Sequence, residues 1–251
     1  MINRDILLIK KETINENVYA LTFKCEDIAK IAKPGQFIHI LLPGYTLRRP
    51  FSICEIKKDG IKIVFNVRGK GTKEMSKWQE GFSVNVIGPL GHGFGAIKNI
   101  DRVLLVGGGM GLAPLLELSK HENVVKALAG FKSKNDVILS EYFNKYLSVD
   151  ICTTDGSFGE KGIVTDFIKE TVRLNNINRI ATCGPKAMLK VVADISCEIN
   201  VFCEICMEER MACGIGACLG CGCNVLVDGS LQPAYVCKDG PVFDARIFRF
   251  D

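Results

Sequence analysis

Hydrophobic and polar positions follow two different rhythms along this chain. From residue 1 to about 98 the apolar residues fall in short β-type runs at 18–24, 37–42, 51–56, 62–67 and 82–87, broken by Gly, Pro and charged turns. That spacing predicts an antiparallel barrel or sandwich. One helix is expected at 72–78, starting at Thr72 directly after Gly71 and carrying Glu74 in its first turn. After Gly95 buried runs at 103–106, 124–129, 149–153 and 179–183 alternate with amphipathic stretches at 112–120, 164–170 and 186–193. This alternation predicts a parallel α/β sheet. From about residue 200 the text turns Gly- and Cys-rich, with too few apolar runs to fold on burial alone. The expected organisation is therefore an N-terminal antiparallel β-barrel over 1–98, a parallel α/β domain over 99–199 and a small metal-dependent domain over 200–251.

Composition narrows the function classes. The 251 residues are 47% hydrophobic and 24% charged, as in an ordinary packed domain rather than a disordered or fibrous chain. The net charge of +4 is spread out and not interleaved with aromatic residues, which argues against nucleic-acid binding. The longest apolar-looking stretch, 103–118, is interrupted by Gly, Pro114 and Glu117 and falls short of the ~20 residues of a spanning helix. Arg4, Asp5, Lys10 and Lys11 interrupt the N-terminus where a signal peptide needs an unbroken apolar run, so a cytoplasmic chain is expected. His39, His92 and His121 stand apart, in no ligand or triad spacing, and are read as structural or surface residues.

Of twelve cysteines, eight lie between Cys197 and Cys237. In a reducing compartment such a cluster binds metal more often than it forms disulfides. Cys213, Cys218 and Cys221 have the spacing C-x₄-C-x₂-C, and Cys237 follows after fifteen residues, which is the plant-type [2Fe–2S] pattern. Gly214, Gly216 and Gly220 let backbone N–H groups approach the sulfurs. Two other readings stay open at this point. One is a structural zinc site drawing on Cys203, Cys206, Cys218, Cys221 or Cys223, and the other is a set of inert buried thiols. Cys197, Cys203, Cys206 and Cys223 fit no part of the iron–sulfur register and are expected to be spectators.

Two motifs end buried strands of the α/β half. Gly107, Gly108, Gly109 and Gly111 form a strand-to-helix turn able to seat a diphosphate, and Cys183-Gly184-Pro185 opens the helix after another strand. In an open parallel sheet, ligands bind at such carboxyl ends. In the barrel half, Arg48-Arg49-Pro50-Phe51-Ser52 and Gly69-Lys70-Gly71-Thr72 combine guanidinium and hydroxyl groups into an anion site. The end of the second sheet strand, Gly130 to Lys134, carries no acidic residue for a ribose hydroxyl, while Lys132 and Lys134 could meet a 2′-phosphate.

Taken together, R-P-x-S, G-K-G-T, G-G-G-x-G-x-A-P and C-G-P resemble the ferredoxin-NADP reductase superfamily across both N-terminal domains. With Glu208 to Cys218 and the closing Cys237 to Phe243, the whole chain resembles the electron-transfer subunits of class 1B dihydroorotate dehydrogenases. The resemblance implies FAD on the barrel, NAD(H) on the sheet and one [2Fe–2S] cluster held by Cys213, Cys218, Cys221 and Cys237. It implies FAD contacts from Arg49, Pro50, Phe51, Ser52, Val64, Phe65, Asn66, Gly71 and Thr72, and nicotinamide contacts from the Gly107–Gly111 turn with Cys183, Gly184 and Pro185. The family commonly has Tyr-Arg where this chain has Phe65-Asn66, and Arg68, two residues on, is the expected substitute.

Nicotinamide moves two electrons as hydride and an iron–sulfur cluster accepts one, so a flavin must stand between them. Cys183 and Ser52 are the candidates for lining that contact. No second substrate site is evident, so the organic substrate is expected on a partner that docks beside the cluster near Met207, Met211, Ile215 and Leu219. By resemblance this partner is an FMN-containing barrel oxidising dihydroorotate, with two copies of each chain. The alternatives are a related flavin and iron–sulfur subunit of a transhydrogenase, sulfide dehydrogenase or hydrogenase, in which Asp often replaces one cluster ligand, and a zinc-stabilised interaction protein.

Overall fold

The structure is a computed structural model and describes residues 1–250. Its first six strands, β1 (Ile2–Asn15), β2 (Val18–Lys24), β3 (Phe37–Ile40), β4 (Arg49–Ile56), β5 (Gly60–Asn66) and β6 (Ser83–Leu90), close into an antiparallel barrel in the order β1-β2-β5-β4-β3-β6. Inward residues such as Leu8, Leu21, Phe23, Ile38, Ile53 and Ile63 are fully buried and fill it. Helix α1 (Glu26–Ile31) follows β2, and α2 (Lys70–Met75) follows β5. The second helix therefore starts earlier than the 72–78 expected from sequence. Gly69 is its N-cap, and Thr72 acts from inside the first turn, its Oγ1 accepting the N–H groups of Arg68 and Gly69 at 2.9 and 3.2 Å.

The α/β half carries β7 (Val103–Gly108), β8 (Val124–Phe131), the short helix α3 (Ser140–Phe143), β9 (Val149–Thr153), β10 (Glu160–Lys161), α4 (Ile168–Asn175), β11 (Arg179–Cys183) and α5 (Lys186–Glu198). The amphipathic stretch at 112–120 is not an α-helix. It forms 3₁₀ turns over Gly109–Leu115 and Leu118–Lys120, because Pro114 has no N–H to give and three glycines weaken the helix start. The tail supplies β12 (Phe202–Cys206), β13 (Gly222–Val227), β14 (Ser230–Tyr235), β15 (Val242–Asp244) and β16 (Phe248–Arg249).

The sheet order is β10-β9-β8-β7-β11-β12-β15, parallel except for β15 at its edge. The chain thus runs outward from β7 and then returns to its other side at β11, which makes the β7–β11 boundary the topological switch point. Strand β12 is part of this sheet although it lies beyond residue 200, and the chain leaves the sheet after Cys206 and returns to it at β15, so the tail is rooted in the nucleotide-type fold. Strands β13, β14 and β16 form a separate three-stranded sheet.

A buried ion cluster fixes the connector between the halves. Arg179, 7% exposed in its side chain, donates to Glu204 at 2.6 Å and Asp101 at 2.8 Å, and also to the carbonyls of Gly95 and Ala96. Glu204 in turn accepts the Gly95 N–H at 2.8 Å. Replacing Arg179 with methionine leaves two carboxylates without their cation and two carbonyls without a donor. The expected result is a loss of about 3–5 kcal/mol, read as a lowered urea midpoint with the unfolding slope unchanged. No helix among the described residues is long and apolar enough to cross a membrane.

Candidate functional site

The two loops singled out in the α/β half meet at the switch point. Gly107 and Cys183 are register partners on β7 and β11. A Cβ on Gly111 would stand 2.2 Å from the Cys183 carbonyl oxygen, so only glycine lets the two turns touch. In front of them lies a cavity of about 1250 Å³, lined by Gly108, Gly109, Met110, Pro185, Met188 and, from the second sheet strand, Phe131 and Lys132. Asp136 also lines it and is tied back to the Ser133 N–H and hydroxyl at 3.0 and 2.8 Å. Gly107, Gly111, Cys183 and Gly184 stand behind this wall and shape it rather than face it.

A second cavity, of about 270 Å³, opens where barrel, sheet and tail converge. The barrel contributes Pro50, Phe51 and Ser52 from β4, Val64, Phe65 and Asn66 from β5, and Thr72. The opposite wall is Met110, Ala113 and Pro114 with Cys206 to Glu209. Both cavities share Asn66, Arg68 and Met110, so they form one continuous crevice. Apolar residues interspersed with Ser52, Asn66, Arg68 and Thr72, beside a second nucleotide-sized space, suit a flavin ring and its tail. Arg49 and Gly71 do not line it. The Arg49 guanidinium sits 5.4 Å from the Tyr45 ring and donates to the Leu47 carbonyl at 2.7 Å. Arg68 does border both cavities, but β5 ends at Asn66, so it reaches them from the loop and not from the strand face expected of it. Glu208, exposed to solvent, also lines the smaller cavity.

In the tail the four thiols of the C-x₄-C-x₂-C…C pattern sit as two pairs, Cys213 with Cys218 and Cys221 with Cys237, each joined by a backbone N–H to a partner sulfur. Backbone N–H groups point at them: Ile215 and Cys218 to Cys213 Sγ at 3.5 and 3.3 Å, Gly216 to Cys237 Sγ at 3.1 Å and Cys237 to Cys221 Sγ at 3.4 Å. Burial would raise the Cys213 thiol, but these donors bring it down to about 6. Cys237, deeper and beside Cys221, is pushed up to about 12. Two thiol pairs under a canopy of N–H donors fit a two-iron cluster.

His39, read from sequence as isolated, is fully buried on β3 directly beneath this loop. A Cβ on Gly214 would stand 2.3 Å from His39 Nδ1, and Gly214 has φ +72°. Burial holds the imidazole below its usual range, so it is neutral at pH 7. Nothing in local spacing could reveal this contact. Gly214→Ala therefore faces both a left-handed backbone and an occupied site. Most of the bound iron and acid-labile sulfide is expected to be lost while flavin content is kept, as measured by colorimetric iron and absorbance assays. Of the apolar residues expected to face a partner, Ile215 and Leu219 are exposed, whereas Met207 is buried and Met211 packs against the core.

Residues 208–248 match the family model described as the iron–sulfur cluster binding domain of dihydroorotate dehydrogenase B. The chain is 41% identical over 240 residues, 95% of each sequence, to the protein of Caldanaerobacter subterraneus subsp. tengcongensis named dihydroorotate dehydrogenase B (NAD(+)), electron transfer subunit. It is 40% identical, over 98% of each, to the protein of that name from Geobacillus thermodenitrificans. Among solved structures, a chain of the NADH-dependent reduced ferredoxin-NADP oxidoreductase superposes with a TM-score of 0.85 at 30% identity, covering 97% of this chain and 89% of the other. A ferredoxin reductase of carbazole 1,9a-dioxygenase shares the fold, with a TM-score of 0.69 at 17% identity.

Proposed function

The chain belongs to the family of dihydroorotate dehydrogenase B electron transfer subunits, and we infer that it carries electrons between a dihydroorotate-oxidising partner and NAD⁺ in pyrimidine biosynthesis. It is an oxidoreductase component that works with FAD, a [2Fe–2S] cluster and NAD(H). The reading of its parts is that residues 1–98 hold FAD, 99–199 hold the nicotinamide nucleotide and 200–251 hold the cluster. The partner in this reading contains FMN, the assembly has two copies of each chain, and it works in the cytoplasm.

The observation that carries the reading is that the two cavities adjoin through Asn66, Arg68 and Met110, with the tail residues Cys206 to Glu209 and Met211 on the smaller one. FAD bound there supplies the exchange between two-electron hydride chemistry and one-electron cluster chemistry. Pro50 to Ser52, Val64 to Asn66, Met110, Ala113 and Pro114 line the smaller cavity and would hold the flavin and shield it from water. Gly108, Gly109 and Pro185 shape the adjoining wall for a nicotinamide nucleotide. Cys213, Cys218, Cys221 and Cys237 hold the cluster, with Ile215 and Leu219 exposed on the same loop toward the partner. Ser52 lines the smaller cavity, whereas Cys183 supports the site from behind.

The test is to purify the chain anaerobically with the FMN-containing subunit of the same cell and follow NAD⁺ reduction driven by dihydroorotate. NADH is expected only when both chains are present. A preparation loaded with flavin and iron yet inert toward dihydroorotate overturns the partner assignment and favours a transhydrogenase-type subunit, to which the identity is lower, 30%.

A further inference from the structure

Two cysteines that the cofactor sites do not use as ligands meet at the end of the central sheet. Cys183 closes β11 and Cys206 closes β12, and they are register partners in the parallel pairing of those strands. Both side chains fall on the same face of the sheet, within the core layer under the Gly109–Leu115 turn. The two residues are directly paired across the strands, and exposure is 0% for Cys183 and 2% for Cys206. Cys203, three residues earlier on β12, faces the opposite layer. Cys206 also lines the smaller cavity, with Ser52 and Pro114, so one member of the pair borders the crevice.

We propose that Cys183 and Cys206 are a redox modification site, a dithiol that closes reversibly to a disulfide when peroxide enters the crevice. Neighbouring strands lie about 4.7–4.9 Å apart, inside the Cα range of about 4.4–6.8 Å that disulfides span. The Cβ atoms must still draw together to about 3.8 Å, so the bond forms under strain, and strained disulfides are the ones cellular thiols reduce again. In the first step the Cys206 sulfur attacks one peroxide oxygen, the O–O bond breaks, and water leaves with the thiol proton, giving a sulfenic acid. The Cys183 sulfur then displaces that hydroxyl, which departs as a second water carrying the Cys183 proton. Two thiols and one peroxide become one disulfide and two waters.

The consequence lies in the loop behind Cys183. Gly111 abuts the Cys183 carbonyl and the Gly184 Cα with no spare room, and Gly184 abuts Met188. Drawing Cys183 toward Cys206 moves both turns that shape the nicotinamide side of the crevice. The site itself rests on sheet register and a shared buried layer alone. Only its effect on turnover rests on the function inferred above.

The test oxidises the intact cofactor-loaded protein with hydrogen peroxide under argon, then blocks free thiols and digests with trypsin. The expected product is residues 180–186 joined to residues 191–210 through Cys183 and Cys206, with NADH-driven reduction of ferricyanide lost and recovered on adding dithiothreitol. Cys206→Ser is expected to remove the linked peptide and, measured against its own untreated rate, the peroxide sensitivity. Finding both cysteines blocked after oxidation, or finding Cys183 joined to a different cysteine, overturns the proposal, and peptide mapping of the natural chain decides this even if the variant fails to fold. A linked peptide formed with NADH oxidation undiminished overturns the gating role. A preparation lacking flavin would show the link and no activity before treatment, which separates failure of the functional reading from failure of this one.

Discussion

Cys218→Ala is expected to stop dihydroorotate-driven NAD⁺ reduction by the assembled complex, a drop on the order of 100-fold or more, while NADH-driven ferricyanide reduction by the chain alone stays within about threefold. Altering groups that merely support a metal ligand costs about 10–100-fold in affinity, and removing a ligand exceeds that. Cys218 pairs with Cys213, and its own N–H donates to Cys213 Sγ at 3.3 Å, so truncation unbalances one thiol pair and leaves the other. The nicotinamide side is spared because neither cavity is lined by Cys218 and because β12, which precedes the cluster loop, is anchored in the sheet. Cys223→Ala is the matched control. The Cys223 thiol donates to the Ala234 carbonyl at 3.4 Å across the β13–β14 hairpin, so this variant is expected to keep its iron. Iron content, the visible spectrum and the two rates decide the matter together. A Cys218→Ala protein that keeps both cluster and coupled rate removes Cys218 from the ligand set.

Much of this architecture is legible in the chain because its signals are local. Runs such as Val149–Thr153 and Arg179–Cys183 are strands over the same residues in the structure, since short stretches rich in Val, Ile and Thr between turn residues leave little choice. Strand β1 was illegible for the opposite reason. Its outward positions carry Arg4, Asp5, Lys10 and Lys11, only Ile6 and Leu8 are buried, and so the charges suggest a solvated terminus rather than a barrel stave. Pro114 changed an expected α-helix into 3₁₀ turns. The cluster register was readable because its ligands lie close in sequence, yet His39 beneath Gly214 and Cys206 beside Cys183 were not. Those contacts are set by which strands become neighbours, and that depends on packing of the whole sheet rather than on any window of sequence.

Gly111→Ala is expected to raise KM for NADH about 100-fold, equivalent to about 2.7 kcal/mol, with the cluster spectrum unchanged. The added methyl would lie 2.2 Å from the Cys183 carbonyl oxygen, 2.4 Å from its carbon and 2.7 Å from the Gly184 Cα, all backbone atoms that no rotamer change can clear. The two turns must part, and they are the turns at the β7–β11 switch point that shape the larger cavity. Inserting one methylene into packed side chains costs about 1–3 kcal/mol, and backbone atoms yield less. Gly109→Ala separates this clash from a general sensitivity of the loop. Gly109 has φ +54°, but a Cβ there meets nothing within 4 Å, so the only penalty is the left-handed conformation, about 1 kcal/mol. Its KM is expected to rise several-fold at most. Equal effects at the two positions would mean that flexibility of the glycine run, and not the contact between the two turns, sets nicotinamide affinity, whereas the predicted gap ties that affinity to Gly111 resting on Cys183.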